Sequence, residues 1–157
     1  MPFIIDGHNL IPKIPGLDLE VVDDEIQLVE LLQEFCRITR KKVDVYFDNA
    51  PPGSARSRHF GSVTAHFTRQ GYSADQAIQG KLKQLKRAAA NWTVVSSDHE
   101  VQSNARTLHA RVISSEQFAA DLIEILSRKD KEQPENERLD PSMGDLREWY
   151  RLFGIDE

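Results

Sequence analysis

The stretch Phe3-Ile4-Ile5-Asp6-Gly7-His8-Asn9-Leu10 decides the fold, because an apolar run ends there in a carboxylate, a glycine and an amide. Residues 3–5 predict a buried central strand whose carboxyl end delivers Asp6. Open α/β sheets place their ligand crevice outside the carboxyl ends of the strands. Asp6 and Asn9 are therefore candidate site residues.

Three further aspartates follow predicted strands or begin a predicted helix. Residues 43–47 form a second apolar run that ends at Asp48, and residues 92–97 form another that ends at Asp98. Asp75 falls in the first turn of a helix that follows a third strand. The carboxyl ends of parallel strands meet at one edge, so a parallel sheet would bring all four aspartates to the same side.

Strand and helix patterns alternate through the chain. Three helices are predicted to begin with a capping box, in which a serine is followed three residues later by glutamine or glutamate. The predicted strands are residues 3–5, 43–47, 63–67, 92–96 and 111–113, and the predicted boxes are Ser73 with Gln76, Ser97 with Glu100, and Ser114 with Gln117. This alternation predicts an α/β fold with a central, mostly parallel sheet and helices on both faces.

The first long helix is predicted from Asp23 or Asp24 to about Arg40, with an apolar stripe on one side. The stripe consists of Ile26, Val29, Leu32 and Phe35. Cys36 lies at helical spacing from Leu32, which favours a small core residue over a nucleophile. Residues 49–62 have neither helical nor strand periodicity, which is typical of a functional loop or of a mobile surface loop.

The net charge of -5 hides a strong asymmetry along the chain. Residues 130–157 hold nine acidic and four basic residues, whereas residues 37–87 hold eleven basic and three acidic ones. A local positive field can attract a polyanion such as a nucleic acid, although solvated helix ends and loops would look the same. The candidate nucleic-acid-binding residues are Arg56, Arg58, His59, Arg69, Lys81, Lys83, Lys86 and Arg87.

The 157 residues suffice for one domain, predicted at residues 1–128. Residues 129–157 are predicted as an acidic linker around Pro134 and an amphipathic C-terminal helix. The apolar stripe of that helix could dock on the domain or bind a partner; it consists of Leu146, Trp149, Tyr150 and Phe153. No apolar run is long enough to span a bilayer and no signal-peptide pattern is present, so we expect a cytoplasmic protein without a membrane partner.

Convergent carboxylates repel one another unless a cation neutralises them. Oxygen ligands select Mg²⁺ or Mn²⁺, and such an ion can activate a water for phosphodiester hydrolysis. The dinucleotide and phosphate-loop glycine motifs are absent, and the single cysteine makes a structural zinc site a poor fit. The residues thus favour hydrolysis of a nucleic acid by a hard metal ion.

Four motifs together resemble the YacP-like NYN domains, a branch of the PIN-like nucleases. They are Ile5-Asp6-Gly7-His8-Asn9-Leu10, Val45-Tyr46-Phe47-Asp48-Asn49-Ala50, Ser73-Ala74-Asp75-Gln76-Ala77-Ile78 and Val94-Val95-Ser96-Ser97-Asp98. The resemblance covers residues 2–127 and implies a three-layer PIN-like fold and an endoribonuclease that uses Mg²⁺ or Mn²⁺. It also implies an RNA substrate, in close relatives messenger RNA on the ribosome.

The resemblance assigns roles to particular residues. It implies that Asp6, Asp75 and Asp98 form the acidic centre, that Asn9 is the accompanying amide, and that Asp48 is a further metal ligand. Where the family carries two further acids, this chain has Gln76 and Gln79. The alternative hypotheses are therefore an RNA-binding or ribosome-associated module with weak or no activity, and a protein-interaction domain that uses the C-terminal helix.

Overall fold

The computed structural model describes residues 1–17, 24–48, 57–69 and 71–132, within which six strands and five α-helices occur. The strands are β1 Phe3–Asp6, β2 Val43–Phe47, β3 Ser57–Phe60, β4 Val63–Phe67, β5 Thr93–Val95 and β6 Arg111–Ile113. The helices are α1 Gly7–Leu10, α2 Asp24–Thr39, α3 Ala74–Leu85, α4 His99–Thr107 and α5 Ser115–Glu132. Short 3₁₀ segments follow α1 at Ile11–Lys13 and α3 at Lys86–Asn91.

The strands form one sheet in the order β3-β4-β2-β1-β5-β6. Every neighbouring pair is parallel except β3 with β4, which are antiparallel. The predicted mostly parallel α/β sheet is confirmed, and β1 lies at its centre. The prediction of a loop without strand structure over residues 49–62 is wrong at Ser57–Phe60, while residues 49–56 lie outside the described part of the chain.

Alternating side chains of β1 enter two different cores. Ile5 packs in a cluster with residues of α2 and α5, and Ile4 packs in a second cluster with residues of α3 and α4. Both isoleucines are fully buried. The sheet therefore carries α2 and α5 on one face and α3 and α4 on the other, which gives the predicted three layers.

The buried face of α2 differs from the predicted stripe. Ile26 is 60% exposed, whereas Leu28 and Leu31 are buried with the predicted Val29, Leu32 and Phe35. The helix packs on both β2 and β4, and this packing selects a face rotated away from Ile26. Cys36 is buried in the core, as predicted, and burial raises the pKa of its thiol to about 11.

The helix starts follow the capping predictions in part. Ser73 and Gln76 form the predicted reciprocal capping box of α3. The box predicted for Ser97 is wrong, because α4 is capped by Asp98 instead. Ser114 accepts a hydrogen bond from the backbone of Gln117, but the Gln117 side chain bonds to Asp121, so only half of that box is present.

The C-terminal part of the described chain is helical for longer than the sequence suggested. Helix α5 continues to Glu132, beyond the predicted domain boundary after residue 128. The predicted C-terminal helix lies outside the described residues, so the division into two parts stays a prediction. Within the described ranges, every helix is too short or too polar to cross a membrane.

Candidate active site

Asp6 ends the central strand and lies beside Tyr46 of β2 in the parallel register. Its carboxyl group is largely shielded by the surrounding chain, and burial raises its pKa to about 6, with a further contribution from the negative charge of Asp48. The backbone N–H of Asn9 and the hydroxyl of Ser96 donate to this carboxylate and oppose the shift. Asp6 is thus a carboxylate that a nearby cation would favour in its charged form.

Asp48 follows β2 and is fixed at the same edge of the sheet. Its Oδ1 accepts a short hydrogen bond from the backbone N–H of Ala74, the first residue of α3. Its backbone nitrogen lies 3.4 Å from His8 Nδ1, and its Oδ2 lies 4.0 Å from the same nitrogen. Asp48 therefore joins the start of α3 to the turn that follows β1.

His8 connects this pair of aspartates to α2. Its Nε2 lies 2.5 Å from Glu25 Oε2, and this hydrogen bond is the main reason why the pKa of His8 is raised. The carboxylates of Asp48 and Asp6 raise it further. A charged imidazole is thereby favoured beside two carboxylates, whose repulsion it partly offsets.

Gly7 lets the turn after β1 pass close to β2. A Cβ added at Gly7 would collide with the ring of Phe47 and lie 3.0 Å from the carbonyl oxygen of Tyr46. The absence of a side chain at this position thus lets Asp6 and Asp48 approach each other.

Asn9 holds the other side of the crevice together. Its Oδ1 accepts hydrogen bonds from the backbone N–H of Ser97 at 2.8 Å and from the hydroxyl of Ser115 at 2.7 Å. One amide oxygen thus joins the segment after β5 to the start of α5. Asn9 positions the backbone around Asp6 and has its carbonyl oxygen fully engaged.

Asp98 is connected to Asp6 through one serine. The buried Ser96 hydroxyl donates to Asp6 Oδ2 at 3.4 Å and accepts from the backbone N–H of Asp98 at 3.1 Å. Asp98 itself is exposed, and its Oδ1 caps α4 by accepting from the N–H groups of Glu100 and Val101. Among the described residues, none forms a hydrogen bond with its second oxygen, which could bind another ligand.

Asp75 stands apart from the other three aspartates. It is half-buried in the first turn of α3, and its Oδ1 accepts from Gln79 Nε2 at 3.4 Å. It does not contribute to the raised pKa of Asp6. The structure thus brings Asp6 and Asp48 together, places Asp98 next to Ser96, and leaves Asp75 on the helix.

The acidic pair fits a single hard cation. The charge of Asp48 makes the ionisation of Asp6 more costly, and the two carboxylates offer oxygen ligands of the type that Mg²⁺ and Mn²⁺ prefer. Among the residues that the structure describes, histidine, cysteine, aspartate and glutamate form no cluster of three or more that could by itself hold a metal ion. Remaining ligands would have to come from water and substrate, as is usual for Mg²⁺.

The candidate RNA-binding residues fall into three places. Arg58 and His59 lie on the edge strand β3, and Arg69 follows β4 at the carboxyl edge of the sheet. Lys81 lies over the ring of Trp92, and Lys86 and Arg87 follow the end of α3, away from the aspartates. Lys83 is exposed near the end of α3, and Arg56 lies outside the described residues.

Sequence reasoning missed residues that act through tertiary contacts. Glu25 lies on α2, 17 residues from the histidine that it contacts, and no local pattern marks it. The sequence predicted Ser96 as a strand residue and gave no sign that its hydroxyl connects Asp6 with Asp98. The stacked rings of Tyr46 and His66 also escaped notice, although both residues stand on predicted neighbouring strands and their pairing in register was a usable signal.

The six-stranded α/β sheet and the acidic pair at the carboxyl end of its central strands define a domain of the PIN-like type. The sequence profile described as the YacP-like NYN domain matches residues 3–147, so the chain belongs to the YacP-like NYN domain family, as the motifs indicated. A search of curated proteins gave no match.

Two solved structures share the fold. The crystal structure of Rae1 (YacP) from Bacillus subtilis matches with a TM-score of 0.74 and 20% identity, over 96% of this chain and 95% of that one. Its W164L mutant matches with a TM-score of 0.69 and 23% identity, over 94% of this chain and 98% of the other. The similarity confirms the predicted PIN-like α/β architecture.

Proposed function

We propose that this protein is a Mg²⁺- or Mn²⁺-dependent endoribonuclease that hydrolyses phosphodiester bonds in RNA. The observation that carries the proposal is the Asp6–Asp48 pair, which lies at the carboxyl end of two central parallel strands in a member of a nuclease family. Ribosome-bound messenger RNA, in the cytoplasm, is the substrate context that the resemblance implies.

Asp6 and Asp48 would hold the metal ion, with the free oxygen of Asp98 and the carboxylate of Asp75 as candidate further ligands. When bound, the ion would supply an activated water and offset the charge that develops on the leaving oxygen. Asn9 and Ser96 keep the Asp6 carboxylate oriented. His8, held by Glu25, fixes Asp48 and reduces repulsion within the pair.

The test compares Asp6→Asn with Asp121→Asn. Asp121 is a carboxylate on α5 beside Phe3, at the opposite end of β1, so the same chemical change is made far from the site. Calorimetric titration of Mn²⁺ and cleavage of a structured RNA are measured for both variants and the wild type. We expect metal binding and cleavage to be lost in Asp6→Asn only, with RNA binding kept, since removal of a negative charge does not weaken a polyanion complex.

Persistent cleavage by a clean Asp6→Asn preparation would rule out this proposal. Equal losses in the two variants would also count against it, because Asp121 has no part in the proposed site.

A second candidate is an RNA-binding module of the same fold without turnover. It is favoured by the two glutamines on α3, which make hydrogen bonds and add no charge: Gln76 is occupied in the capping box and Gln79 bonds to Asp75. This candidate predicts salt-dependent RNA binding and no cleavage with Mg²⁺ or Mn²⁺. Cleavage by the wild type that depends on Asp6 would exclude it.

A further inference from the structure

A cleft of about 530 Å³ is lined by Tyr46, the register partner of Asp6, on the face of the sheet that carries α3 and α4. This volume is within the range usual for small-molecule and cofactor sites. The side chains that matter for its chemistry are Tyr46, His66, Thr68, Arg69, Tyr72 and Gln76.

The cleft exists because the helices cover only part of this face. Helix α3 packs on β1 and β2, and α4 packs on β6. Strand β4, on the far side of β2, projects His66 beyond the cover of α3. The opening is thus built into the order of the strands, and residues between β4 and α3 form its rim.

The floor of the cleft is a fixed pair of rings. Tyr46 and His66, which are partners in the parallel register, stack with centroids 4.4 Å apart and an interplanar angle of 11°. His66 Nε2 is held at 2.9 Å by Asp44 Oδ1, two residues before Tyr46 on the same strand. The aromatic surface is therefore set before any ligand arrives, which reduces the entropy lost on binding.

The rim offers a further ring and a cation. Tyr72 is 59% exposed, one of the few large apolar side chains with this exposure in the described part of the chain. Its backbone N–H donates to the carbonyl oxygen of Arg69 at 3.0 Å, and both side chains line the cleft. Arg69 is exposed, and no carboxylate among the described residues lies within ion-pair distance of it.

Gln76 completes the polar lining. Its Oε1 accepts the backbone N–H of Ser73, which fixes the side chain and leaves the amide nitrogen as a donor. An aromatic ring, a free guanidinium and an amide donor are the groups that recognise an unpaired nucleotide, through base stacking, a phosphate contact and a base edge.

The position of the cleft links it to the acidic pair. Tyr46 lies on β2 and Asp48 follows the end of that strand two residues later, roughly 7 Å away at the usual rise of a strand. Asp48 also bonds to the first residue of α3, the helix that carries Gln76. A strand of RNA with one phosphate at the acidic pair can therefore place a neighbouring nucleotide in the cleft.

We propose that this cleft binds one unpaired RNA nucleotide next to the phosphate that is cleaved, with its base stacked on Tyr72 and its phosphate held by Arg69. The inference rests on the proposed nuclease function and adds to it a subsite for one nucleotide beside the acidic pair.

The experiment uses the full chain without metal and a short oligouridylate, methylated at every 2′-oxygen, that carries one 2-aminopurine base. Quenching of the fluorescent base reports stacking, and its titration gives the affinity. The variants are Tyr72→Ala and Tyr72→Phe, and Arg69→Ala with Arg111→Ala as its matched control. Arg111 is an exposed arginine on β6, at the other edge of the sheet.

We expect Tyr72→Ala to weaken binding roughly tenfold, the order of loss of one base–aromatic stack, and to abolish the quenching. Tyr72→Phe keeps the ring and is expected to retain both. Arg69→Ala should lower the slope of log affinity against log salt by about 0.7, the value for one phosphate contact on a single strand. Arg111→Ala should leave the slope unchanged.

Wild-type affinity and quenching in Tyr72→Ala, with a thermal unfolding curve that shows a folded protein, would overturn the inference and leave a protein partner as the occupant of the cleft. Cleavage of unmodified RNA with Mn²⁺ is measured in parallel. If the wild type cleaves RNA and the Tyr72 variants bind the oligonucleotide normally, the nucleotide subsite is rejected and the nuclease proposal stands. If the base stacks on the protein but no metal supports cleavage, the nuclease proposal is rejected and the subsite is supported.

Discussion

The aspartates that end strands and the aspartates that begin helices behave differently in this protein. Asp6 and Asp48 follow the adjacent strands β1 and β2 and lie close enough that the charge of one raises the pKa of the other. Asp75 and Asp98 begin helices, and their carboxylates are engaged by groups of their own helix, Gln79 in one case and backbone N–H groups in the other.

The difference has a simple physical origin. Parallel pairing fixes the register of neighbouring strands, so residues that follow their carboxyl ends must meet. A helix start is placed by how the helix packs, and the acidic residues there bond to groups of their own helix, as Asp98 does with first-turn N–H groups and Asp75 with Gln79. Strand-end carboxylates are therefore the better candidates for the metal.

The rate of RNA cleavage is expected to differ most strongly between variants of the strand-end aspartates and variants of the helix-start aspartates. Asp48→Asn should lower the rate of cleavage by more than about a hundredfold, which exceeds the loss usual for a residue that only supports a metal ligand. Asp75→Asn should lower the rate by roughly tenfold or less. Asparagine keeps an acceptor for the N–H of Ala74, so the loss in Asp48→Asn reports the charge. A steady-state assay with Mn²⁺ measures both, and equal losses would show that Asp75 joins the pair when metal and RNA bind.

Stability against pH should reveal the cost of ionising Asp6. Its pKa is raised from 3.8 to about 6 in the folded protein, so the stabilisation present below pH 3.8 is lost as the pH rises toward 6. The Asp6→Asn variant has no charge to bury at this position, so this loss does not occur. The free energy of unfolding of the variant should exceed that of the wild type by about 2 kcal/mol at pH 7.5, after allowance for screening, and the two should be equal at pH 3.5.

Urea unfolding in EDTA at the two pH values measures this difference. Excess Mn²⁺ provides the control at pH 7.5, because a metal that binds only the wild type should shrink or reverse the advantage of the variant. An advantage of the same size at both pH values would show that repacking, and not charge, is its cause.

The smallest effect is expected at the cap of α4. Asp98→Ala removes the acceptor for two backbone N–H groups and should destabilise the protein by about 1 kcal/mol, whereas Asp98→Asn keeps an acceptor and should cost less. Thermal unfolding of both variants without metal tests this order. Equal melting temperatures for Asp98→Ala and the wild type would show that the cap contributes nothing to stability.

Much of the fold could be predicted from local pattern. The strands Val43–Phe47 and Val63–Phe67 have the predicted bounds, because buried runs between breakers leave little freedom. Ser57–Phe60 escaped prediction, because its side chains are largely exposed and it becomes a strand only by pairing with β4. Ile26 was assigned to the core since helical spacing cannot tell which of two adjacent stripes the sheet will cover.

The candidate site divides in the same way. Asp6, Asn9 and Asp48 could be chosen as candidates from the sequence because each stands within a few residues of a strand end. Glu25 and Tyr72 were not chosen, since Glu25 contacts a histidine 17 residues away and the role proposed for Tyr72 depends on the cleft beside β4. Which of the basic residues lie near the aspartates could not be predicted from the sequence either. Lys86 and Arg87 follow the far end of α3 and therefore lie away from the aspartates.

The sequence by itself determined the alternation of strands and helices, the family, and the arrival of aspartates after the central strands, because these depend on hydrophobic periodicity and short motifs. Only the tertiary structure decided that Asp6 and Asp48 form a pair, that Asn9 bridges two segments, and that Tyr46 and His66 form the floor of a cleft. Such arrangements depend on strand order and helix packing, which join residues far apart in the chain.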